Sequence, residues 1–265
     1  MGYDERRWAG KWALVTGASA GIGRALAEQL AAGGANLVLT ARRRDRLEEL
    51  ASKLRAANSV NTEVLAADLA QRGAPAGIRA FTQAKNLEIE LLINNAGFGS
   101  YGALHESDLA RQLEMIQVNC SAVVHLTRLY LPEMVARRHG DILIVASVAA
   151  FQAVPYISTY AATKAFDLLF AEGIAEEVRR HGVHVCALCP GSTTTEFREV
   201  AGQPEHTFRG AETAEKVARV GLRALAEGKS SVISGLKNKL SVEGQRLAPR
   251  SLVTRVAAGM FDPGK

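Results

Sequence analysis

Hydrophobic positions along the chain fall into two alternating kinds of run. Short segments of nearly unbroken Val, Ile, Leu and Ala read as strands at Trp12–Thr16, Asn36–Thr40, Thr62–Ala67, Leu91–Asn94, Ile142–Ser147, Val183–Leu188 and Ser231–Ile233. Between them the apolar residues recur with helical spacing, which predicts helices over Ile22–Ala32, Arg44–Ala57, Ala74–Lys85, Asp108–Arg138, Ser158–His181 and Ala211–Glu227. Strands that do not alternate apolar with polar are expected to be covered on both faces. Strand–helix alternation of this kind predicts an α/β fold, a parallel sheet doubly wound with helices on both faces. No Pro/Ser linker, repeat or low-complexity tract divides residues 1–265, so a single domain is expected.

Two segments break the rhythm. Residues 196–210 combine Gly202, Pro204 and Gly210 with little periodicity, and are expected to form a loop with at most a short helix. Residues 236–265 form a basic amphipathic tail, in which Lys237, Lys239, Arg246, Arg250 and Arg255 interleave with Leu240, Leu247, Leu252 and Val256 around Pro249. The first reading of the tail is a helix packed on the domain or on a second subunit; a membrane surface or an acidic carrier protein is the alternative.

Composition changes this picture only at its edges. With 48% apolar and 22% charged residues the chain suits a globular enzyme and not a disordered segment. A net charge of +5 mildly favours anionic ligands such as nucleotide phosphates, without indicating nucleic acid. The apolar stretch from Ile142 to Ile157 is broken by Ser147, Gln152 and Pro155 and is too short for a membrane span. Charged Asp4, Glu5, Arg6 and Arg7 stand where a signal peptide would be apolar, so a cytoplasmic protein without membrane contact is expected. Cys186 and Cys189 form a C-x-x-C, but on a strand they point to opposite faces; with Cys120 they are expected to serve packing, and no metal site is read.

The chemistry-bearing motifs sit at strand ends. The first strand runs into Thr16-Gly17-Ala18-Ser19-Ala20-Gly21-Ile22-Gly23 and then a helix. Glycines suit the tight turn, the approach of backbone to a pyrophosphate, and close helix–strand packing. The helix N-terminus adds free amides for phosphate. Gly17, Ser19, Gly21, Ile22 and Gly23 are therefore candidate dinucleotide-binding residues. At the end of the second strand, Ala41 stands where a carboxylate would repel a 2′-phosphate, and Arg42 can bind one bidentately. This points to NADP(H), with Arg43 and Arg44 left to solvent. Asp68 is placed either for the adenine edge or as a helix N-cap.

Tyr160 and Lys164 lie four residues apart on one helix and share a face. A nearby ammonium lowers a phenol's pKa, which moves Tyr160 toward use as a general acid/base. Ser147 ends a buried strand thirteen residues earlier, Asn94-Asn95-Ala96-Gly97 closes the preceding strand, and Asn119 lies between them.

Together with Pro190-Gly191-Ser192-Thr193-Thr194-Thr195, these motifs stand in the order and spacing of a known family. The chain resembles the short-chain dehydrogenase/reductase superfamily over about residues 10–235. The resemblance implies a Rossmann-like fold with a seven-stranded sheet and an NADPH-dependent reduction of a carbonyl to an alcohol. It implies that Tyr160 gives a proton to the carbonyl oxygen as hydride arrives, that Ser147 orients that oxygen, and that Lys164 tunes Tyr160 and binds the nicotinamide ribose. Asn119 would hold a water in a proton relay; Pro190, Gly191 and Thr195 would embrace the nicotinamide end, and Asn94 and Gly97 the adenosine side.

Substrate selection would fall to Phe98, Tyr101, Phe151, Val154, Tyr156, Phe197 and Phe208, which suggest an apolar cleft for a small-molecule ketone or 3-oxoacyl compound. A catalytically idle NADP-binding sensor or a scaffold of the same fold is the alternative. The helices at Asp108–Arg138 and Ser158–His181 are apolar on more than one side, which suggests a homodimer or homotetramer.

Overall fold

A computed structural model describes residues 4–205 and 210–262. Strands β1 (Trp12–Thr16), β2 (Asn36–Ala41), β3 (Thr62–Ala66), β4 (Ile89–Asn94), β5 (Gly140–Val145), β6 (Val183–Cys189) and β9 (Ser231–Ile233) form one parallel sheet in the order β3-β2-β1-β4-β5-β6-β9. Two short strands that the sequence pattern does not announce, β7 (Thr193–Thr194) and β8 (Glu212–Thr213), pair in parallel as a separate small sheet. Winding runs outward from β1 to β3, then returns across β1 to start again at β4. Both βα connections therefore diverge at the carboxyl ends of β1 and β4, where a sheet of this kind leaves a ligand crevice.

Alternate residues of each strand enter opposite cores. Ala13, Val15, Leu91, Ile93, Leu143 and Val145 face α1 (Gly21–Ala32), α2 (Arg44–Asn58) and α8 (Ala214–Ala226). Leu14, Leu92, Ile142 and Ile144 face α3 (Ala74–Ala84), α4 (Leu109–Ile116), α5 (Ala122–Arg137) and α6 (Ser158–Val178). Cys189 lies in the second core and Cys186 in the first, both fully buried, so the C-x-x-C thiols do not meet. Burial pushes both thiols up to about 12, far from a reactive thiolate.

Departures from the sequence pattern have local causes. The helix expected over Asp108–Arg138 is broken by a π-helical turn at Gln117–Ser121, which swings Asn119 inward to complete burial. Strand β5 starts at Gly140, where a side chain would run into Met134, and ends before Ser147. The substrate segment does carry one short helix, α7 (Phe197–Ala201).

The tail folds as two helices, α9 (Leu236–Gln245) and α10 (Arg250–Phe261), parted at Pro249. It docks only in part: Val242 and Ala257 are buried, whereas Leu240, Leu252 and Val256 stay exposed. Among the described residues no helix is long and apolar enough to cross a membrane.

Candidate active site

At the end of β1 the chain turns through Gly17 at φ +67° and Gly21 at φ +54°, both left-handed and both free of a Cβ. A Cβ on Gly17 would sit 2.7 Å from Asn95 Nδ2 and 2.9 Å from Ala96 Cα, so the β1 and β4 ends could not close. They are laced by Thr16, whose hydroxyl accepts from the amides of Asn95 (2.9 Å) and Ala96 (3.0 Å), and by Asn95 Nδ2, which donates to Thr16 O at 2.8 Å. Helix α1 then begins at Gly21 with no side-chain cap and no acidic residue in its first turn. Its opening amides are left for an anion, which is what a pyrophosphate requires.

Arginines collect at the neighbouring rim. Arg42 lines the cleft and reaches Glu114 only at 3.9 Å, so its guanidinium stays available. Arg43 donates to Ser19 Oγ from Nε (3.3 Å) and Nη2 (3.1 Å), and to Glu196 Oε2 at 2.7 Å. Glu196 is also bonded by Arg46, and the two guanidiniums hold its carboxyl below the ordinary value. Asp68 lines the same cleft while its Oδ1 accepts from Ala70 N at 3.1 Å. It caps a turn there, not α3, which starts later at Ala74.

The reacting groups lie on the cleft floor. Ser147, just past the end of β5, caps the 3-10 turn at Val148–Phe151: its Oγ accepts from Ala149 N at 3.1 Å and donates to Pro190 O at 3.5 Å. Tyr160 and Ser147 are each 9% exposed, enough for a small group to touch and too little for bulk water. Lys164 lies one turn on, and its Nζ donates to Val145 O at 2.7 Å and Asp167 Oδ2 at 2.9 Å. Phe197 of α7 roofs Tyr160, with ring centroids 5.2 Å apart. Phosphate turn, arginine rim and phenol share one cleft of about 400 Å³.

The sequence profile of the short chain dehydrogenase family matches residues 11–206, the stretch that holds all of these groups. The chain belongs to that family. It is 36% identical over 195 residues to very-long-chain 3-oxoacyl-CoA reductase-A of Danio rerio, covering 72% of this chain and 60% of that one, so the match spans less than two thirds of the relative. Similar solved structures are better matched in length. A short-chain dehydrogenase from Sphingobium yanoikuyae in complex with NADPH superposes with a TM-score of 0.83 at 30% identity, over 92% of this chain and 94% of that one. A 7β-hydroxysteroid dehydrogenase superposes with a TM-score of 0.86 at 29% identity, over 97% and 100%.

Within this short-chain dehydrogenase most expected residues line the cleft: Gly17, Ser19, Gly21, Ile22, Arg42, Asp68, Gly97, Ser147, Tyr160, Lys164, Pro190, Gly191 and Thr195. Three expectations need correction. Asn94 does not face the cleft; it is buried and donates from Nδ2 to Thr127 Oγ1 at 3.1 Å, tying β4 to α5, while its neighbour Asn95 serves the turn. Gly97 lies beside Asn119 and Lys164 at the reacting end and not at the adenosine side. Gly23 serves the close packing expected of the turn's last glycine, because any Cβ would overlap Asn95 Nδ2 and Gly17 O. Arg43 is not left to solvent, since it ties Ser19 to Glu196; Arg44 alone stays outside, 61% exposed beside Glu48.

Asn119 is fully buried behind the cleft, where its side chain acts as a clamp. Both of its amide hydrogens are used, on Phe98 O and Thr163 Oγ1 at 3.0 Å, and Oδ1 accepts from Phe98 N at 3.1 Å. The π-helical turn is thereby pinned to β4's exit loop and to the helix that bears Tyr160. Lys164 acts on Tyr160 in the expected direction but does not prevail. Burial pushes the phenol up more than Lys164 and Ser147 pull it down, so its pKa lies above the ordinary tyrosine value. Tyr160 therefore holds its proton across neutral pH, as a proton donor must.

The cleft wall is apolar, as expected, but only two of the expected residues supply it. Phe98 and Phe197 line it; Tyr101, Phe151, Val154 and Tyr156 do not, and Phe208 lies outside the described residues. Phe261 and Val200 take their place. Tyr101 donates from its hydroxyl to Phe261 O at 2.8 Å and so holds the end of α10 over the cleft. No local pattern at Phe261 could have disclosed this, because the contact joins residues 160 apart in sequence.

Proposed function

We propose that this protein is an NADPH-dependent reductase converting an apolar ketone or a 3-oxoacyl thioester to its alcohol. The observation that carries the reading is a buried Ser147–Tyr160–Lys164 set on the floor of an apolar cleft that also holds an uncapped phosphate turn. The similarity to a 3-oxoacyl-CoA reductase and to an NADPH-bound dehydrogenase supports it.

The turn from Gly17 to Ile22 and the first amides of α1 fit a pyrophosphate, Arg42 and Arg43 fit a 2′-phosphate, and Lys164 fits a ribose hydroxyl. When bound there, the dinucleotide supplies the hydride. The protein supplies the rest. Ser147 donates to the substrate oxygen and fixes its direction, and Tyr160 releases its proton onto that oxygen as negative charge develops. The Lys164 ammonium steadies the phenolate left behind. Phe98, Phe197 and Phe261 exclude water from the developing charge.

NADPH oxidation followed against medium-chain 3-oxoacyl thioesters, ring ketones and sugar ketones tests the assignment. Turnover is expected with the first two groups and not the third; turnover confined to sugars, or none at all, would overturn it. Replacing Arg42 by alanine is expected to lower kcat/KM for NADPH by about 10–100-fold, the worth of a charge-assisted hydrogen bond, and to leave NADH use unchanged. An equal loss with both cofactors would show that Arg42 does not read the phosphate.

The protein is also proposed to form homodimers through α4 and α6, which expose Leu109 (69%), Leu113 (57%) and Leu169 (68%) on faces turned from the core. Light scattering at the mass of one chain would refute this.

A further inference from the structure

One group at the reacting end is not used by the mechanism above. Asp167 lies one turn beyond Lys164 on α6, its side chain 1% exposed, with Oδ2 2.9 Å from Lys164 Nζ. Its other oxygen, Oδ1, is buried without a hydrogen-bond partner. As a stability device this is a poor one, because a buried ion pair offsets its desolvation only when the remaining lone pairs are satisfied. The carboxylate does, however, control the one cation behind Tyr160.

Resting on the reductase reading, we propose that Asp167 is a positioning residue for the reaction: it anchors the Lys164 ammonium beside Tyr160 and keeps that ammonium charged at high pH, so that the pair stays set to deliver a proton. The other titratable groups that face this pair come from three elements and stay uncharged. Cys120, from the π-helical turn, is pushed up to about 11 by burial and by Asp167. Cys189, from β6, is pushed up to about 12, and Tyr160, on α6 itself, is held above its ordinary value by burial. Asp167 is thus the anion that Lys164 answers to. Burial alone would push the Lys164 ammonium down, yet the Asp167 carboxylate, which also hydrogen-bonds it, outweighs burial and holds it above the ordinary lysine value.

Two effects of removing the charge act in the same sense. Without the carboxylate, Lys164 loses its proton at lower pH, and its field on Tyr160 goes with it. While Lys164 remains charged, the phenol loses the neighbouring anion that helps it keep its proton. Either way activity is lost earlier as pH rises: in the first case because no cation steadies the phenolate that proton transfer leaves, in the second because the phenol itself ionises sooner.

The substitution Asp167→Asn keeps shape and an acceptor but removes the charge. In the full-length protein it is expected to move the alkaline limb of kcat/KM for ketone reduction down by about 1–2 pH units. A merely structural role would lower the rate at every pH and leave the limb where it was. NMR titration of 13Cε-labelled lysines, with Lys164 assigned through Lys164→Arg, reads the same proposal on unmodified, cofactor-free protein. Lys164 is expected to titrate above the other lysines in the parent and at least about one unit lower in Asp167→Asn. Lys164 titrating below the ordinary lysine value in the parent, or unmoved in the variant with an unmoved limb, would overturn the proposal. Because the parent titration needs neither turnover nor substrate, the two failures are told apart: an inactive protein in which Lys164 still titrates high refutes the reductase reading and leaves the Asp167–Lys164 charge pairing standing. A variant that does not fold leaves the parent titration to decide.

Discussion

Replacing Tyr160 by phenylalanine is expected to slow carbonyl reduction by about 10²–10⁴-fold, the usual worth of a positioned general acid. The ring would remain against Phe197, so the cleft keeps its shape and only the hydroxyl is lost. NADPH binding, followed by fluorescence, is expected to change little, because the phosphates fall to the Gly17–Ile22 turn and the arginine rim. The loss should therefore appear in kcat, with the cofactor's Kd near the parent value. In the parent, burial holds the phenol above the ordinary tyrosine value, so the reduction rate is expected to be flat through neutrality and to fall only in alkali. A variant that oxidises NADPH at the parent's rate would exclude Tyr160 as the donor, and with it the mechanism.

The second large effect lies far from the cleft. Asp141, 2% exposed at the start of β5, accepts from Trp8 Nε1 at 2.7 Å, from Arg7 Nη2 at 3.1 Å, and contacts His184 Nδ1 at 3.0 Å. Burial works to raise this carboxyl, but His184, Arg7 and Trp8 together hold it below the ordinary aspartate value. Asp141→Ala leaves the Trp8 indole N–H unpaired in the core. The expected cost is about 3 kcal/mol, at the low end for a broken buried pair because Arg7 can rehydrate. That corresponds to a fall in Tm of about 6–12 °C for a domain of this size. The sign of the pH dependence follows from the lowered value. Stability from Asp141 is present above the unfolded-state value and is lost as pH falls through the folded-state one. Melting curves of parent and variant should accordingly converge in acid; equal Tm values at neutral pH would show that the Asp141 network contributes nothing.

Much of the site was legible because its parts are local. A turn that needs φ > 0 must use glycine, and a phenol–ammonium pair on one helical face must be four residues apart, so Gly17, Gly21, Tyr160 and Lys164 announce themselves. Ser147, Asp68 and Arg42 follow from one rule, that a parallel sheet presents its ligand groups at the carboxyl ends of its strands. Where a residue's neighbours come from elsewhere in the chain, the same reasoning failed. Asn94 and Asn95 are adjacent polar residues at one strand end, and only the strand's pleat decides that Asn94 turns inward to Thr127 while Asn95 meets Thr16. Arg43 looked like a solvated member of a basic run until Glu196, 153 residues away, was seen beside it.

Asp167 shows the same limit. By spacing it is merely an acid three residues past Lys164, an ordinary surface pair, and its consequence comes from burial at 1% exposure. The chain's own pattern of apolar runs, glycines and helical spacings determined the α/β class, the placing of the chemistry at strand ends and the Ser147, Tyr160 and Lys164 set, because each is written within one or two elements. Tertiary structure alone decided which face each strand-end residue takes, that α10 returns Phe261 to the cleft, and that Tyr160 keeps its proton despite Lys164. The reason is that desolvation and contact depend on what the rest of the chain packs around a group, and no interval along the sequence records that.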